Sequence, residues 1–453
     1  MVNSMELTSF KVKESSFHKQ KTFRIKVFLI SFFVLYFGIS LIDAYFIIYL
    51  PLLYLRILEI DASLLTVIQY GIYSTVLFTP ISGLIFDRFI KHSHNMIISI
   101  ICPLITISFF YFAFTLGNLA VYTMFSIIYF ISQALLRGCM SKIFFKVLSK
   151  IPNKNYQTKF LVVSNSSRIL GFLLVGITFN FIITDINDLT AWNFFLLFGG
   201  LLILFMLTGP ILLKYTNLSE IVNSKENTKQ LHISQEKELN PINIHFSKKI
   251  IFIPMVLIYI TGFLSSSDAL FSYPFSNWIL TDFGALNFKI YSAFYSLFQI
   301  LTLTGYIAFQ KLLTYKRQQL DNTYVSNFEK EISYNNFRKR ILLFSTLIFS
   351  VLYFLFTIID FLPFMICYSV FNILAGIYNI SLINFNIDFS SRLKNQAFFY
   401  LISGTSISLA QFLLKPLGIL LTTNISIESL MVIASILTLL SIIPLYYIKF
   451  PIQ

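Results

Sequence analysis

The sequence predicts an all-α membrane protein in which twelve transmembrane helices form two pseudo-symmetric six-helix bundles. Three observations predict this fold class: an apolar composition, twelve apolar stretches of membrane-spanning length, and a weak repeat between the two halves. Of the 453 residues, 56% are hydrophobic and 12% are charged, and the mean hydropathy is +0.76. Soluble domains carry about 25% charged residues, so a water-soluble protein with one large core is disfavoured.

The apolar stretches set the predicted domain organisation. A helix needs about 20 mainly apolar residues to cross a bilayer. Twelve stretches meet this requirement, near 27–53, 63–86, 95–115, 119–141, 160–183, 191–213, 249–272, 286–310, 341–359, 361–387, 396–422 and 428–448. The predicted parts are an N-terminal tail (1–26), a first bundle (27–213), a linker (214–248), a second bundle (249–448) and a C-terminal end (449–453). The linker and the connection at 311–340 are polar, which predicts poor order or a short surface helix.

Basic residues predict the orientation, because Lys and Arg collect in cytoplasmic loops. With the N-terminus inside, only Arg56 and Lys289 fall in outside connections, and Arg137, Arg168 and Lys415 fall within spans. The rest of the 34 basic residues lie inside. Both termini of this multi-pass protein, expected in the cell membrane, are therefore predicted to be cytoplasmic. The same asymmetry explains the net charge of +14 without a nucleic-acid partner.

Similar strings recur in corresponding spans of the two halves and in the same order. The pairs are GISLIDA (38–44) with GFLSSSDA (262–269), YSTVLFTPISGLI (73–85) with YSLFQILTLTGYI (295–307), and SNSSRILGFLL (164–174) with SGTSISLAQFLL (403–414). Such a recurrence indicates an internal duplication. Parallel six-helix repeats are one of the plans used by secondary transporters.

A charged string, GLIFDRFIKH, follows the second span. It resembles the signature of the major facilitator superfamily, G-x-x-x-D-R-x-G-[RK]-[RK], at Gly83, Asp87, Arg88 and Lys91, whereas Ile90 replaces the second glycine. In that family the segment is a latch that holds the two halves together on the cytoplasmic side of the outward-facing state. The alternative interpretation is an ordinary positively charged cytoplasmic loop.

The resemblance implies a specific contact for this latch. Asp87 is expected to accept hydrogen bonds at the N-terminus of span 11, near Asn395. Arg88 and Lys91 are expected to pair with neighbouring carboxylates, and Gly83 to allow a close approach between helices.

The resemblance extends over nearly the whole chain through the twelve-span plan and its long central linker. Span 1 adds the family's Asp followed by Pro, here Asp43 and Pro51. The span 4 pattern is reduced to Arg137-Gly138, and the span 5 antiporter pattern is absent, which disfavours a drug/proton antiporter. The resemblance implies a secondary transporter that moves a small solute by alternating access, expected to be a monomer. The alternatives are a polytopic membrane enzyme, such as a lipid or sugar transferase, and a transporter-like sensor.

Five ionisable residues stand out because they lie away from the ends of the predicted spans, where a charged side chain costs at least about 2.5–3.5 kcal/mol. They are Asp43, Arg137, Arg168, Asp268 and Lys415. All lie on spans that line the central cavity in the resembled family. Polar residues at helical spacing accompany them, and the predicted cavity residues are Arg137, Lys415, Gln133, Gln411, Asn372, Asn379, Arg168, Tyr295 and Gln299.

The set is close to balanced, with two acids and three bases, but two or three cations that face one cavity favour an anionic or zwitterionic solute. If protons drive transport, as in a symporter, Asp43 or Asp268 is the predicted coupling site. Alternatively, Asp43 and Asp268 are helix caps or gate residues near the outer ends of their helices, and Arg168 reaches the inner interface. No cofactor and no metal are expected, since the histidines and the three cysteines show no metal-binding spacing.

Overall fold

The computed structural model describes residues 25–41, 43–45, 49, 61–89, 119–148, 154–185, 188–204, 208–215, 248–323, 326–358, 361–393, 395–422 and 424–448. Within these ranges the chain is helical and contains no strand. Every predicted span except the third, which lies outside the described residues, contains helix.

In the first half the helices are α1 (Ile25–Leu41), α2 (Ala62–Ser74), α3 (Phe78–Arg88), α4 (Leu119–Leu148), α5 (Lys154–Ile182), α6 (Leu189–Leu204) and α7 (Thr208–Tyr215). A short 3-10 helix, Thr75–Leu77, joins α2 to α3 within span 2. In the second half they are α8 (Lys248–Ser265), α9 (Ala269–Thr323), α10 (Asn327–Leu355), α11 (Phe361–Ser390), α12 (Gln396–Leu421), α13 (Ile427–Leu440) and α14 (Ile442–Tyr447). Span 11 is thus α12, and α13 with α14 forms span 12.

The distribution of side chains is that of a protein surrounded by lipid. Large apolar side chains such as Phe181 (80% exposed) and Phe344 (64% exposed) cover the outside, whereas polar residues such as Ser40 and Thr261 are fully buried. In the described part of the chain, five stretches are long and apolar enough to cross a membrane by length and composition: Phe160–Ile182, Phe252–Phe271, Met365–Ser390, Gln396–Leu421 and Ile427–Tyr447.

For the connection at 311–340 the sequence predicts poor order or a short surface helix, and the structure shows two long helices instead. The connection is a helical hairpin, in which α9 continues to Thr323 and α10 starts at Asn327. Ser326 caps α10 by accepting a hydrogen bond from the Glu329 N–H (3.2 Å). The segment is rich in Lys, Arg, Gln and Glu, which favour helix even where the sequence is polar, so its polarity indicates exposure rather than poor order.

The duplication predicted from the repeated strings appears as equivalent contacts in the two halves. In the first half, α5 passes close to α1 where Gly171 meets Ser40, and a Cβ on Gly171 would lie 2.5 Å from the Ser40 hydroxyl. In the second half, α8 passes close to α12 where a Cβ on Gly262 would overlap the Ser406 hydroxyl. Spans 1 and 5 therefore meet through the same small residue types as spans 7 and 11.

Spans 2 and 4 cross at small residues, and the equivalent spans 8 and 10 of the second half do the same. Gly138 of α4 lies against Ser82 of α3, and Gly376 of α11 lies against Gly305 of α9. At the second crossing the two glycine Cα positions are so close that a Cβ on Gly305 would lie 3.2 Å from the Gly376 Cα and would overlap the Ile373 carbonyl oxygen. Small residues at such crossings let helix backbones approach within a membrane.

Replacing Gly305 with alanine is therefore expected to lower the stability of the protein by about 1–3 kcal/mol, the usual cost of overpacking. The atom in the way belongs to the backbone of α11, so the helices have to separate. The measurement is thermal unfolding of the purified protein in detergent. Gly404→Ala is the matched control, since a Cβ there meets nothing within 4 Å. Equal unfolding temperatures for the two variants would contradict the close crossing.

Candidate functional site

A polar cavity lies between the two halves. Its lining residues come from spans 1, 2, 4, 5 and 11: Asp43, Thr75, Val76, Thr79, Phe130, Gln133, Arg137, Arg168, Ser408 and Gln411. The centre of a water molecule can occupy a volume of about 50 Å³ in this cavity. This volume holds several water molecules. Because α12 belongs to the second half and the other elements to the first, a movement of one half against the other changes this cavity.

The buried Asp43 is the acceptor at the centre of the lining. Gln133 Nε2 donates to its Oδ1 (2.8 Å) and Arg137 Nη2 donates to its Oδ2 (3.1 Å). Gln133 and Arg137 are four residues apart on α4, so they share one face of the helix. The structure thus brings Asp43 of span 1 together with one face of span 4, and both carboxylate oxygens have a donor.

Arg168 of α5 also lines the cavity. Its side chain is exposed, and among the described residues it has no salt-bridge partner. Asp43 is the only acidic residue among the lining residues, against the two guanidinium groups of Arg137 and Arg168. The lining therefore carries an excess of positive charge.

Of the two cavity residues predicted on span 11, one lines the cavity and one does not. Gln411 lines the cavity together with Ser408. Lys415 lies one helical turn beyond Gln411 and is only 6% exposed, and it is not among the lining residues. Lys415 is thus on the expected helix but is not brought to this cavity.

Asn372, Asn379 and Gln299, predicted on spans 8 and 10, are not among the lining residues of this cavity. Thr302 donates to the Asn372 side-chain oxygen (3.4 Å), and Asn372 Nδ2 donates to the Tyr368 carbonyl of its own helix (2.7 Å). Asn372 therefore serves the contact between α9 and α11. Gln299 and Asn379 are half-buried outside the lining, and the Tyr295 side chain lies outside what the structure describes.

Asp268 lies in the turn between α8 and α9, directly before Ala269. Its neighbour Ser267 hydrogen-bonds to the Ala434 carbonyl (2.8 Å) and to Thr438 (2.8 Å) of α13. This turn packs against span 12, away from the cavity. The position favours the alternative interpretation of Asp268 as a residue at a helix start.

The contact expected from the charged string is present. Asp87 Oδ2 accepts a hydrogen bond from the Phe398 N–H (3.0 Å) in the first turn of α12. The N-cap residue of that helix, Asn395, makes no capping hydrogen bond with its side chain. Asp87 therefore supplies the cap from the other half of the protein, where a carboxylate also interacts favourably with the helix dipole.

The helices around this contact fit closely. A Cβ on Gly83 would lie 2.9 Å from the Phe398 Cα, so the glycine allows α3 to approach α12. Lys142 of α4 donates to the Phe86 carbonyl beside it. Burial raises the pKa of the Asp87 carboxyl above its ordinary value, and the Phe398 N–H and the Lys142 ammonium oppose that rise. Arg88 is exposed, and Lys91 lies outside the described residues.

Sequence reasoning missed two parts of the site. Thr75 and Thr79 of span 2 line the cavity, and their spacing of four residues was a signal that could have found them. Lys142 is one of the many basic residues that the sequence places on the cytoplasmic side, and no local pattern distinguishes it from the others.

Solved structures match the chain, although no protein-family model and no curated protein sequence matches it. The human organic anion transporter MFSD10 is 13% identical, with 94% of this chain and 99% of that chain covered and a TM-score of 0.57. The E. coli fucose:proton symporter FucP, in the outward conformation, is 12% identical, with 95% and 100% covered and a TM-score of 0.61. The E. coli proton:xylose symporter XylE is 11% identical, with 95% and 96% covered and a TM-score of 0.64.

The chain has the major facilitator superfamily fold. The matches run over nearly the full length of all four chains, and they confirm the predicted fold class of twelve helices in two six-helix bundles. At these identities the likeness is one of fold. Within the major facilitator fold, the Asp43 cavity lies at the interface of the two repeats, where secondary transporters place their binding sites.

Proposed function

We propose that the protein is a secondary transporter that moves a small solute across the cell membrane by alternating access. One observation carries this proposal: the hydrogen-bonded group of Asp43, Gln133 and Arg137 lies in a cavity lined by both halves of the fold. Ionised groups inside a membrane protein are costly and mark solute or ion pathways. Since one chain supplies both halves of the cavity, a monomer suffices for transport.

The two halves are in contact on the predicted cytoplasmic side of the cavity. Besides the hydrogen bond from Phe398 to Asp87, the Phe145 ring of α4 meets the Tyr400 ring of α12 edge-on, with centroids 5.6 Å apart. These two contacts close that side of the cavity. Alternating access requires both of them to break and the two bundles to rock about the cavity.

The charge of the cavity favours an anionic or zwitterionic solute. Arg137 and Arg168 face one cavity with Asp43 as the single acid of its lining. Guanidinium groups bind carboxylates and phosphates with two parallel hydrogen bonds. MFSD10, which shares the fold, is an organic anion transporter, and we therefore place an organic anion first among the candidate solutes.

Asp43 is the coupling residue in this proposal. An anionic solute that engages Arg137 competes with the Asp43 carboxylate for the same guanidinium group. A proton on Asp43 removes that competition, so proton binding and solute binding favour each other. This coupling produces symport of the anion with protons, the mode named for FucP and XylE.

The test is uptake of radiolabelled organic anions into proteoliposomes with and without an inward proton gradient. The expected result is uptake that the gradient accelerates in the native protein and does not accelerate in Asp43→Asn. Asp188→Asn is the control, since Asp188 is an exposed acid outside the cavity. Gradient-driven uptake that survives in Asp43→Asn would overturn the coupling role. Transport itself would be overturned if vesicles with the native protein took up anions, sugars and amino acids no faster than empty vesicles.

A further inference from the structure

A second polar cavity lies on the helical hairpin, far from Asp43. It is a groove between the end of α9 and the start of α10, with about 420 Å³ open to the centre of a water molecule. Lys316 lies on the α9 side, and Ser333, Asn336, Phe337 and Arg340 lie on the α10 side. The groove thus combines two cations, a hydroxyl group, an amide and an aromatic ring.

The groove lies at the level of the lipid headgroups. Lys339, the neighbour of Arg340, donates to the Tyr446 (2.5 Å) and Ile448 (2.9 Å) carbonyls at the end of the last helix. Tyr446 is 67% exposed and Tyr447 is 64% exposed, and exposed aromatic residues at helix ends mark the membrane–water interface. Arg340 is therefore close to the interface, and the groove extends from it toward water.

The lining of the groove holds two cations and one acid, and the Lys316 ammonium donates to the Gln319 side-chain oxygen (3.0 Å). In the ranges that the structure describes, neither Lys316 nor Arg340 forms a salt bridge, and the Lys316 ammonium lies 5.7 Å from the centroid of the Phe337 ring. The one acid of the groove, Glu329, is eleven residues before Arg340 on α10, about 16 Å away along the helix axis. Arg340 therefore has no acid of the groove beside it.

Apolar side chains continue from both cations toward the membrane. Leu312 is one helical turn before Lys316 and is 41% exposed, and Phe344 is one turn after Arg340 and is 64% exposed. Because residues four apart share a helix face, each cation has an exposed apolar side chain directly on its membrane side. A ligand with an anionic head and an apolar tail matches this order.

We propose that this groove binds the headgroup of an anionic phospholipid. Its phosphate lies between Lys316 and Arg340, with Ser333 and Asn336 as further donors, and its acyl chains lie along Leu312 and Phe344. Anionic lipids attract basic residues next to membrane helices, and they are enriched on the cytoplasmic side, where the sequence places this hairpin.

The experiment is native mass spectrometry of the full-length protein released from nanodiscs that contain equal amounts of phosphatidylglycerol and phosphatidylcholine. The native protein is expected to retain phosphatidylglycerol in preference to phosphatidylcholine. The double variant Lys316→Gln/Arg340→Gln is expected to bind phosphatidylglycerol roughly thirtyfold more weakly, the usual effect of losing two interfacial cations. Lys311→Gln/Lys330→Gln is the matched control, because it removes the same charge from the same hairpin outside the groove.

Three outcomes would overturn the proposal. Equal loss of phosphatidylglycerol in the control and the groove variant would indicate attraction to a positive surface rather than to the groove. Unchanged retention in the groove variant would place the lipid elsewhere. Equal protection of the detergent-solubilised protein against thermal unfolding by inorganic phosphate and by phosphatidylglycerol would indicate a site for a free anion. The circular dichroism spectrum of each variant establishes that it is folded.

Discussion

Uptake by the Arg137→Ala variant is expected to be lost completely, and the protein is expected to be about 3 kcal/mol less stable. The variant removes the donor to Asp43 Oδ2 (3.1 Å) and leaves a buried carboxylate without its counter-charge. Breaking a buried ion pair costs about 3–5 kcal/mol. The lower figure applies because the Arg137 side chain is 27% exposed and water reaches part of it. The measurements are proteoliposome uptake and thermal unfolding.

Two further variants separate the roles of Arg137. Arg168→Ala removes the other guanidinium group of the cavity but leaves no carboxylate unpaired, so it should weaken solute binding without lowering the unfolding temperature. The double variant Asp43→Asn/Arg137→Ala removes both charges of the pair, so it should recover stability and remain inactive. If Arg137→Ala is as stable as the native protein, the ion pair with Asp43 does not form.

A leucine at Gly83 is expected to prevent the closed arrangement on the predicted cytoplasmic side and to reduce uptake at least about tenfold. A Cβ at this position would lie 2.9 Å from the Phe398 Cα and 2.9 Å from the Leu401 side chain. The branched side chain therefore forces α3 away from α12 and breaks the hydrogen bond from Phe398 to Asp87. An equilibrium displaced by 1.4 kcal/mol changes tenfold, and overpacking by several atoms costs typically 1–3 kcal/mol.

The displacement can be measured by electron–electron double resonance with spin labels on Phe89→Cys and Arg392→Cys in a cysteine-free background. Both sites are exposed and lie at the predicted cytoplasmic ends of the two halves. The population at long distance should grow in Gly83→Leu. Gly71→Leu is the control on the same span, because a Cβ at Gly71 meets nothing within 4 Å. Distances that stay unchanged in Gly83→Leu while uptake falls would refute the steric explanation.

The contact between Asp87 and the start of span 11 was the most predictable part of the site. It depends on a local string whose members are close in sequence, and the resemblance supplied the partner helix. The group of Asp43, Gln133 and Arg137 was only partly predictable. The cost of a charge within a span selected Asp43 and Arg137, and helical spacing added Gln133, but no sequence pattern pairs an acid of span 1 with a base of span 4.

The predictions for Asn372 and Asp268 show that helical spacing alone does not determine which polar residues face the cavity. Both residues are polar and lie on spans expected at the cavity, yet Asn372 bonds to Thr302 of the neighbouring helix and Asp268 lies in a turn against span 12. A polar side chain inside a membrane protein needs a partner. Another helix satisfies that need as well as a cavity does, and the choice depends on the rotation of each helix.

The amino-acid sequence by itself determined the fold class, the duplication and the charged string that contains Asp87, because each depends on local composition or on short-range spacing. The tertiary structure decided which ionisable residues meet, where the cavity lies and that the connection at 311–340 is a helical hairpin. Those outcomes depend on helix rotation and on close crossings such as Gly305 with Gly376, which arise only when helices distant in the chain pack against each other.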